Sequence, residues 1–417
     1  MQFPLNNKSF KTILAAVSGT LLQWYDFSLF GYLAVLIGTT FFPTKNHLAS
    51  VLLSLTTFAI GFVLAPIGAL IFSFIGDRYG RKKALTYSIL LMAIPTFITA
   101  FIPSYHHIGI LAPIILTICR MMQGLVASSE FAGSAIFLVE HAPHNRQTLM
   151  GSLTSSAYSI GFIIGALIVA FFTSSIMPAW AWRIAFLLSA IGALLVLYIR
   201  NKIAETPPFL AIKAKPINNI PLHKILQQPA IYVTALMASY VGIITFGSYI
   251  FSATYIYLYS HLALNKIALF LSCAFIVDAM VEPLVALLAD KIGRRKIIIF
   301  GSILMLICIY PIFLGFSSGK EPLVLLSLIS ISLLIAISFS PVNTFLILQF
   351  PVSIRYRGFS LPWNIFISLI GGTTPLVLMA LIKFSHNIYA PVAYYGIAIL
   401  LCWLALYLNK YYQPLTA

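Results

Sequence analysis

The chain of 417 residues is 60% hydrophobic and only 8% charged, with a formal net charge of +16 at pH 7. A water-soluble domain carries about a quarter charged residues, so a soluble enzyme or signalling domain is excluded and lipid is the expected surrounding. The basic excess does not point to nucleic acid either, because the cations sit in short stretches between apolar segments, as in DRYGRKK (77–83) and DKIGRRK (290–296), the pattern by which positive charge sets membrane orientation.

Apolar stretches long enough for spanning helices fall at 12–40, 50–75, 85–103, 109–139, 150–175 and 182–200. A basic stretch with five prolines, 201–229, interrupts them, and they resume at 230–259, 265–289, 297–317, 321–350, 358–383 and 389–409. Six plus six predicts an all-α membrane protein of twelve transmembrane helices. Residues 1–200 form an N-terminal half, 201–229 a linker along the cytoplasmic surface, and 230–417 a C-terminal half. With the N-terminus inside, Arg78, Arg81, Lys82, Lys83, Arg146, Lys291, Arg294, Arg295, Lys296, Arg355 and Arg357 share one side, while the other keeps mainly Lys45, Arg183, Lys266, Lys320 and Lys383. Both termini are therefore expected in the cytoplasm. The N-terminal segment lacks a signal-peptide cleavage pattern and is expected to stay attached. Cys119, Cys273, Cys308 and Cys402 lie in apolar segments without close spacing and read as buried apolar residues rather than zinc ligands or disulfides.

Ionisable residues inside the apolar segments carry the functional argument. Asp26 sits in the middle of LLQWYDFSLFGYLA (21–34), where a charged Asp costs about 2.5–3.5 kcal/mol on insertion scales. Arg120 and Glu130 both lie in the fourth segment, about 15 Å apart along a helix, so each needs a partner elsewhere. Asp26 is the candidate counter-ion for Arg120. Asp26 and Glu130 are the candidates for proton coupling, since a carboxylate in a cavity alternately wet and dry can take up and release a proton. Arg120, whose planar fork holds two oxygens at once, suits a substrate carboxylate. Tyr25, Asp26, Arg120, Gln123 and Glu130 form the candidate substrate set. A static Asp26–Arg120 pair joining two helices is the alternative. Trp24, Tyr25 and Phe27 offer ring faces to a quaternary ammonium, or simply pack. Asp278 and Glu282 share a face of the eighth segment at i and i+4; a wet cytoplasmic vestibule is the favoured reading, ahead of a second protonation point or a partner for basic residues.

Two glycines in SIGFIIGAL (159–167) have the spacing that lets helices approach closely. IGGTTPL (370–376) reads as a hinge in the eleventh segment. His106, His107, His141 and His144 fall at loop edges without metal-ligand geometry. No Walker loop, nucleophile elbow or H-E-x-x-H helix occurs, so neither enzyme chemistry nor a metal or organic cofactor is expected.

The halves carry a common signature: GDRYGRKKAL follows the second segment and ADKIGRRKII the eighth, each with an acid at a helix end, a turn glycine and a cationic cluster. These loops resemble the signature of the major facilitator superfamily. QWYDFSLFGYLAVLIGTTFFP (23–43), CRMMQGLVASSEFAGSAIFLVEHAPHNRQTLMGS (119–152), WAWRIAFLLSA (180–190), ETPPF (205–209) and FPVSIRYRGFSLPWNIFISLIGGTTPL (350–376) resemble its metabolite:proton symporter family. Gln23 stands where that family more often has Glu, and Ser128–Ser129 where Gly-Gly is usual. The resemblance implies the major facilitator fold, with two pseudo-symmetric six-helix halves rocking about a central site. It implies a monomeric carrier of the bacterial inner membrane that imports a small organic solute with protons by alternating access. The solute is a proline- or betaine-type osmolyte or a carboxylate metabolite, and the coupling proton is the one accessory. Asp77, Arg81, Asp290 and Arg294 then act as conformational latches. A drug/proton antiporter of the same fold is disfavoured because no Pro occurs between 144 and 177, and a non-transporting sensor because it would be expected to carry a large soluble domain.

Overall fold

The computed structural model describes residues 7–45, 47–174, 176–213 and 221–410, and no strand occurs among them. Twelve long helices follow in order. The first six are α1 (Asn7–Tyr32, continued by Ala34–Phe41), α2 (His47–Arg78), α3 (Arg81–Phe101), α4 (Leu111–His141), α5 (Gln147–Phe172) and α6 (Trp182–Asn201). Short helices Pro207–Lys213 and Leu222–Leu226 lie within the expected linker, of which 214–220 is outside the described residues. Then come α7 (Pro229–Ser260), α8 (Leu264–Ile292), α9 (Arg294–Phe316), α10 (Glu321–Ile347), α11 (Arg355–Ser385) and α12 (Pro391–Lys410). Eleven of these are long and apolar enough to cross a membrane; α1, which carries Lys11, Gln23 and Asp26, is the more polar exception.

The helices reach further into the basic turns than hydropathy alone indicates. α2 runs through Arg78 and α3 begins at Arg81, and α8 and α9 meet at a single residue, Gly293. Both turns depend on glycine: Gly80 has φ 115° and Gly293 φ 111°, a region that a side chain on Cα disfavours. A reversal between two long helices is thereby completed in one or two residues.

The chain divides into two compact units, Met1–Leu138 with Ala157–Ala211, and Val139–Ser156 with Ile212–Ala417. In the first, α6 packs on α3 and α1. A Cβ on Gly124 of α4 would strike the backbone of Gly61 of α2, and one on Gly68 would strike Leu125. Gly161 and Gly165 let α5 approach Leu21 and Ser28 of α1, which is the packing use that their spacing suggested. In the second unit, α12 packs on α7 and α9, α8 on α10, and α7 on α11, where Gly242 and Gly371 bring two backbones together. The second helix thus meets the fourth, and the first meets the fifth and sixth, in each set of six. Two π-helical turns, Phe246–Phe251 in α7 and Ile367–Gly371 in α11, interrupt the packed pair, the latter beginning just before the expected hinge.

Gly124→Val inserts a branched side chain where two backbones touch, and overpacking costs about 1–3 kcal/mol or more. It should remove most of the monodisperse protein seen by size-exclusion chromatography in detergent, whereas Gly372→Ala, which meets nothing within 4 Å, should leave the yield unchanged.

Candidate functional site

Three ionisable groups identified in the sequence, Asp26, Arg120 and Glu130, resolve into two separate polar clusters along α4. The first joins α1, α3, α4 and α6. Asp26 and Arg120 are both buried, with Arg120 Nη1 3.7 Å from Asp26 Oδ2. That distance is an ion pair without a hydrogen bond. Gln123, one turn along α4 from Arg120, donates from Nε2 to Asp26 Oδ2 and to Thr96 Oγ1, each at 2.7 Å. The guanidinium lies over the Phe30 ring, 3.9 Å from its centroid, with Phe186 at 5.8 Å. Nε, Nη1 and Nη2 of Arg120 all lack a hydrogen-bond acceptor, while Asp26 Oδ1 and Gln123 Oε1 lack a donor. Buried polar atoms are nearly always satisfied, and here open donors and open acceptors lie in one cluster.

Tyr25 belongs to the edge of this cluster: its hydroxyl donates to the Ala185 carbonyl at 2.9 Å. Trp24 and Phe27 turn elsewhere. Trp24 stacks on Phe162 and meets Tyr158 edge-on, and Phe27 packs on Phe62. The rings facing the cation are Phe30 and Phe186, whose apolar identities gave no signal in the sequence.

Glu130 occupies the second cluster, ten residues further along α4. Arg200 holds it in a two-pronged pair, Nη1 to Oε1 at 2.8 Å and Nη2 to Oε2 at 2.7 Å, and the Ser88 hydroxyl donates to Oε1 as well. Arg200 Nε donates to the Ala15 carbonyl at 3.0 Å, and Nη1 to that of Leu85. Both side chains are fully buried and tie α1, α3, α4 and α6 together. Arg200 is the last residue of the sixth apolar segment, bordering the basic linker; the helix ends one residue later, at Asn201, and buries the Arg200 side chain.

The signature turns form a third set of contacts. Asp77 and Arg81 pair across one helical turn at 3.7 Å, and Arg81 Nη1 donates to the Gly76 carbonyl at 2.9 Å. Glu205 accepts the backbone N–H groups of Arg81 and Lys82 at 3.1 Å, capping α3 with a carboxylate where the helix dipole favours one. Phe209 of the ETPPF stretch lies under the Arg81 guanidinium, 4.9 Å from it. In the second unit Asp290 accepts from Thr148 N and Leu149 N, each at 3.0 Å, and so caps α5. Arg294 lies 3.5 Å from Asp290, and its Nε donates to Thr148 Oγ1 at 2.7 Å. Arg355 pairs with Glu140 at 3.0 Å. Among the described residues no three His, Cys, Asp or Glu side chains gather as metal ligands.

The Major Facilitator Superfamily profile matches residues 16–361. The chain belongs to the major facilitator superfamily. Within the superfamily it is 32% identical over 406 residues to the glycine betaine/proline/ectoine/pipecolic acid transporter OusA of Dickeya dadantii (strain 3937), covering 92% of this chain and 80% of the relative. The proline/betaine transporter of Escherichia coli (strain K12) is 30% identical over 407 residues with the same coverages. Among solved superfamily structures, the proton:xylose symporter XylE bound to 6-bromo-6-deoxy-D-glucose shares the fold, with a TM-score of 0.83, 18% identity, and coverage of 97% of this chain and 96% of that one. The protein is thus a multi-pass membrane transporter with the twelve-helix architecture of the superfamily.

Glu205, Phe209, Ser88, Thr96 and Arg200 joined these clusters without having been singled out by sequence. ETPPF was the one usable signal among them, because a lone Glu after a helix end is a ready cap for a neighbouring helix.

Removing one partner of a buried ion pair strands the other charge, at a cost of about 3–5 kcal/mol. Arg200→Met should therefore lower the thermal unfolding midpoint of the purified superfamily member sharply, and the double variant Arg200→Met/Glu130→Gln should recover more than half of the loss. A single variant that melts like the parent would show that the pair carries no structural load.

Proposed function

We propose that the protein imports a small zwitterionic solute of the proline or betaine type together with protons, by alternating access, across the bacterial inner membrane. The observation that carries this reading is the buried Arg120 guanidinium, pinned on Phe30 beside Asp26 with none of its nitrogens hydrogen-bonded. A substrate carboxylate supplies the missing acceptors as a two-pronged, charge-assisted contact. Asp26 Oδ1 and Gln123 Oε1 suit the N–H groups of a secondary ammonium, and the rings of Phe30 and Phe186 suit a methylated one. The names of the relatives favour such osmolytes over a purely anionic metabolite.

Asp26 is the better proton carrier of the two acids singled out. Its carboxylate receives a hydrogen bond from Gln123, faces the Thr96 and Ser189 hydroxyls and lies at ion-pair distance from Arg120, so protonation is coupled to whatever else binds that arginine. Glu130 is matched by Arg200 and Ser88 and serves as a strut between helices. Asp77, Arg81, Asp290 and Arg294 act as latches at the cytoplasmic side, where the cation-rich loops place both termini.

Uptake of labelled proline and glycine betaine into proteoliposomes, with and without an inward proton gradient, tests the reading. Arg120→Lys forfeits a charge-assisted contact of about 1.5–3 kcal/mol and should raise KM about 10- to 100-fold. Asp26→Asn should abolish gradient-driven accumulation while retaining substrate exchange, and Glu130→Gln should remain responsive to the gradient. The opposite pattern would move proton coupling to Glu130, and no uptake of either solute by the parent protein would refute the substrate class.

A charged cap on a helix end contributes up to about 1 kcal/mol at an exposed site. Asp290→Asn, which weakens that cap at α5, and Asp77→Asn, which weakens an ion pair worth a similar amount, should each slow transport about fivefold with folded protein retained. Rates equal to the parent would remove the latch assignment.

A further inference from the structure

The second unit holds a cluster of oxygen atoms that the transport reading does not use. Glu282 of α8 is buried at 3% exposure, and its Oε2 has no hydrogen-bond donor. Asp278, one helical turn before it, is equally buried and is the charge that acts on Glu282. The Ser155 hydroxyl of α5 faces Glu282 and also receives a long hydrogen bond, 3.4 Å, from Asn343 Nδ2 of α10. Asn343 is 4% exposed, and its carbonyl Oδ1 finds no donor. Ser340 of α10 turns its proton away from the carboxylate, donating to the Glu282 backbone carbonyl at 2.7 Å. Pro283 follows Glu282 inside the helix and has no N–H to give the Ala279 carbonyl, which adds a further acceptor on the same turn.

The groups around Glu282 are therefore rich in acceptors and poor in donors. Of the elements packed on α8, α10 presents Ser340 and Asn343 to Glu282 and α5 presents Ser155, none of them titratable, while α7 brings Tyr249 against Phe275, one turn ahead of Asp278, and α9 joins α8 at the Gly293 turn. Asp290, eight residues further along α8, is spent on capping α5 at a level about 12 Å away. His144 and Arg146 belong to the turn that packs on α8 just ahead of that cap. An excess of buried acceptors calls for a cation. An oxygen-liganded divalent ion such as Ca²⁺ or Mg²⁺ needs about six oxygens or more arranged around it, whereas a proton needs no added volume.

We infer that Glu282 holds an exchangeable proton on Oε2, making α8, α10 and the first turns of α5 a second proton-binding site, separate from Asp26. The proton turns an orphan acceptor into a donor that Asn343 Oδ1 or the Asp278 carboxylate can accept. It also removes the repulsion between two carboxylates one turn apart. The assignment does not depend on which solute is carried.

Infrared difference spectroscopy of the protein in phosphatidylcholine vesicles, between neutral and strongly alkaline pH, reads the carbonyl absorption of a protonated carboxylic acid directly. The parent should lose such a band on alkalinisation, Glu282→Gln should lack it at neutral pH, and Asp26→Asn should keep it. Asn343→Leu, which removes a candidate acceptor, should shift its frequency. If Glu282→Gln does not fold, Glu282→Asp should retain the band at a displaced frequency. A parent spectrum without the band, a band that survives Glu282→Gln, or one that disappears only in Asp26→Asn would each overturn the inference; the last would leave the Asp26 assignment standing.

Discussion

A guanidinium sunk in a helix bundle either meets a carboxylate with matched geometry or leaves its N–H groups without acceptors, and α4 carries one side of both situations. Glu130 is held by Arg200 through two parallel contacts of 2.7 and 2.8 Å, so the desolvation of both ions is offset by good geometry and additional hydrogen bonds. Arg120 is held at 3.7 Å from Asp26, resting on an aromatic face with its donors unused. The contrast separates a matched ion pair from one whose donors stay open, both along a single helix.

The signature turns show the same economy with backbone groups. Each combines a glycine at φ above 110° with carboxylates that meet exposed helix N-termini: Glu205 at α3 and Asp290 at α5. The cationic residues of these turns therefore do two jobs. Lys82 and its neighbours supply the charge that orients the chain, while their own amides, or those of the next helix, are consumed by acids contributed from elsewhere in the sequence.

Helix number and helix order were readable from hydropathy, because lipid leaves few other ways to satisfy a backbone, and the repeated D-x-x-G spacing marked the two turns, although hydropathy made them longer than the one or two residues observed. The closeness of Asp26 and Arg120 was readable too, since each was a charge in an apolar segment needing a counterpart. The partner of Glu130 was not, because Arg200 borders a linker full of other cations and nothing local distinguishes an inward-facing arginine from a solvated one. Phe30 and Phe186 were hidden for the opposite reason: in a chain where 14% of residues are aromatic, a ring over a cation looks like any other. The neighbours of Glu282 come from three helices far apart in sequence, so only a three-dimensional arrangement discloses that its surroundings are poor in donors.

The π-helical turns in α7 and α11 carry a practical implication for anyone mapping these helices by mutagenesis. Each wider turn inserts an additional residue relative to a regular α-helix, which displaces everything downstream by about 100° around the axis. A helical wheel drawn continuously through residue 251 or 371 will assign lipid-facing labels to side chains that look toward protein, and the reverse. Cysteine-accessibility scans of 252–260 and 372–385 must therefore be phased independently of the segments preceding them.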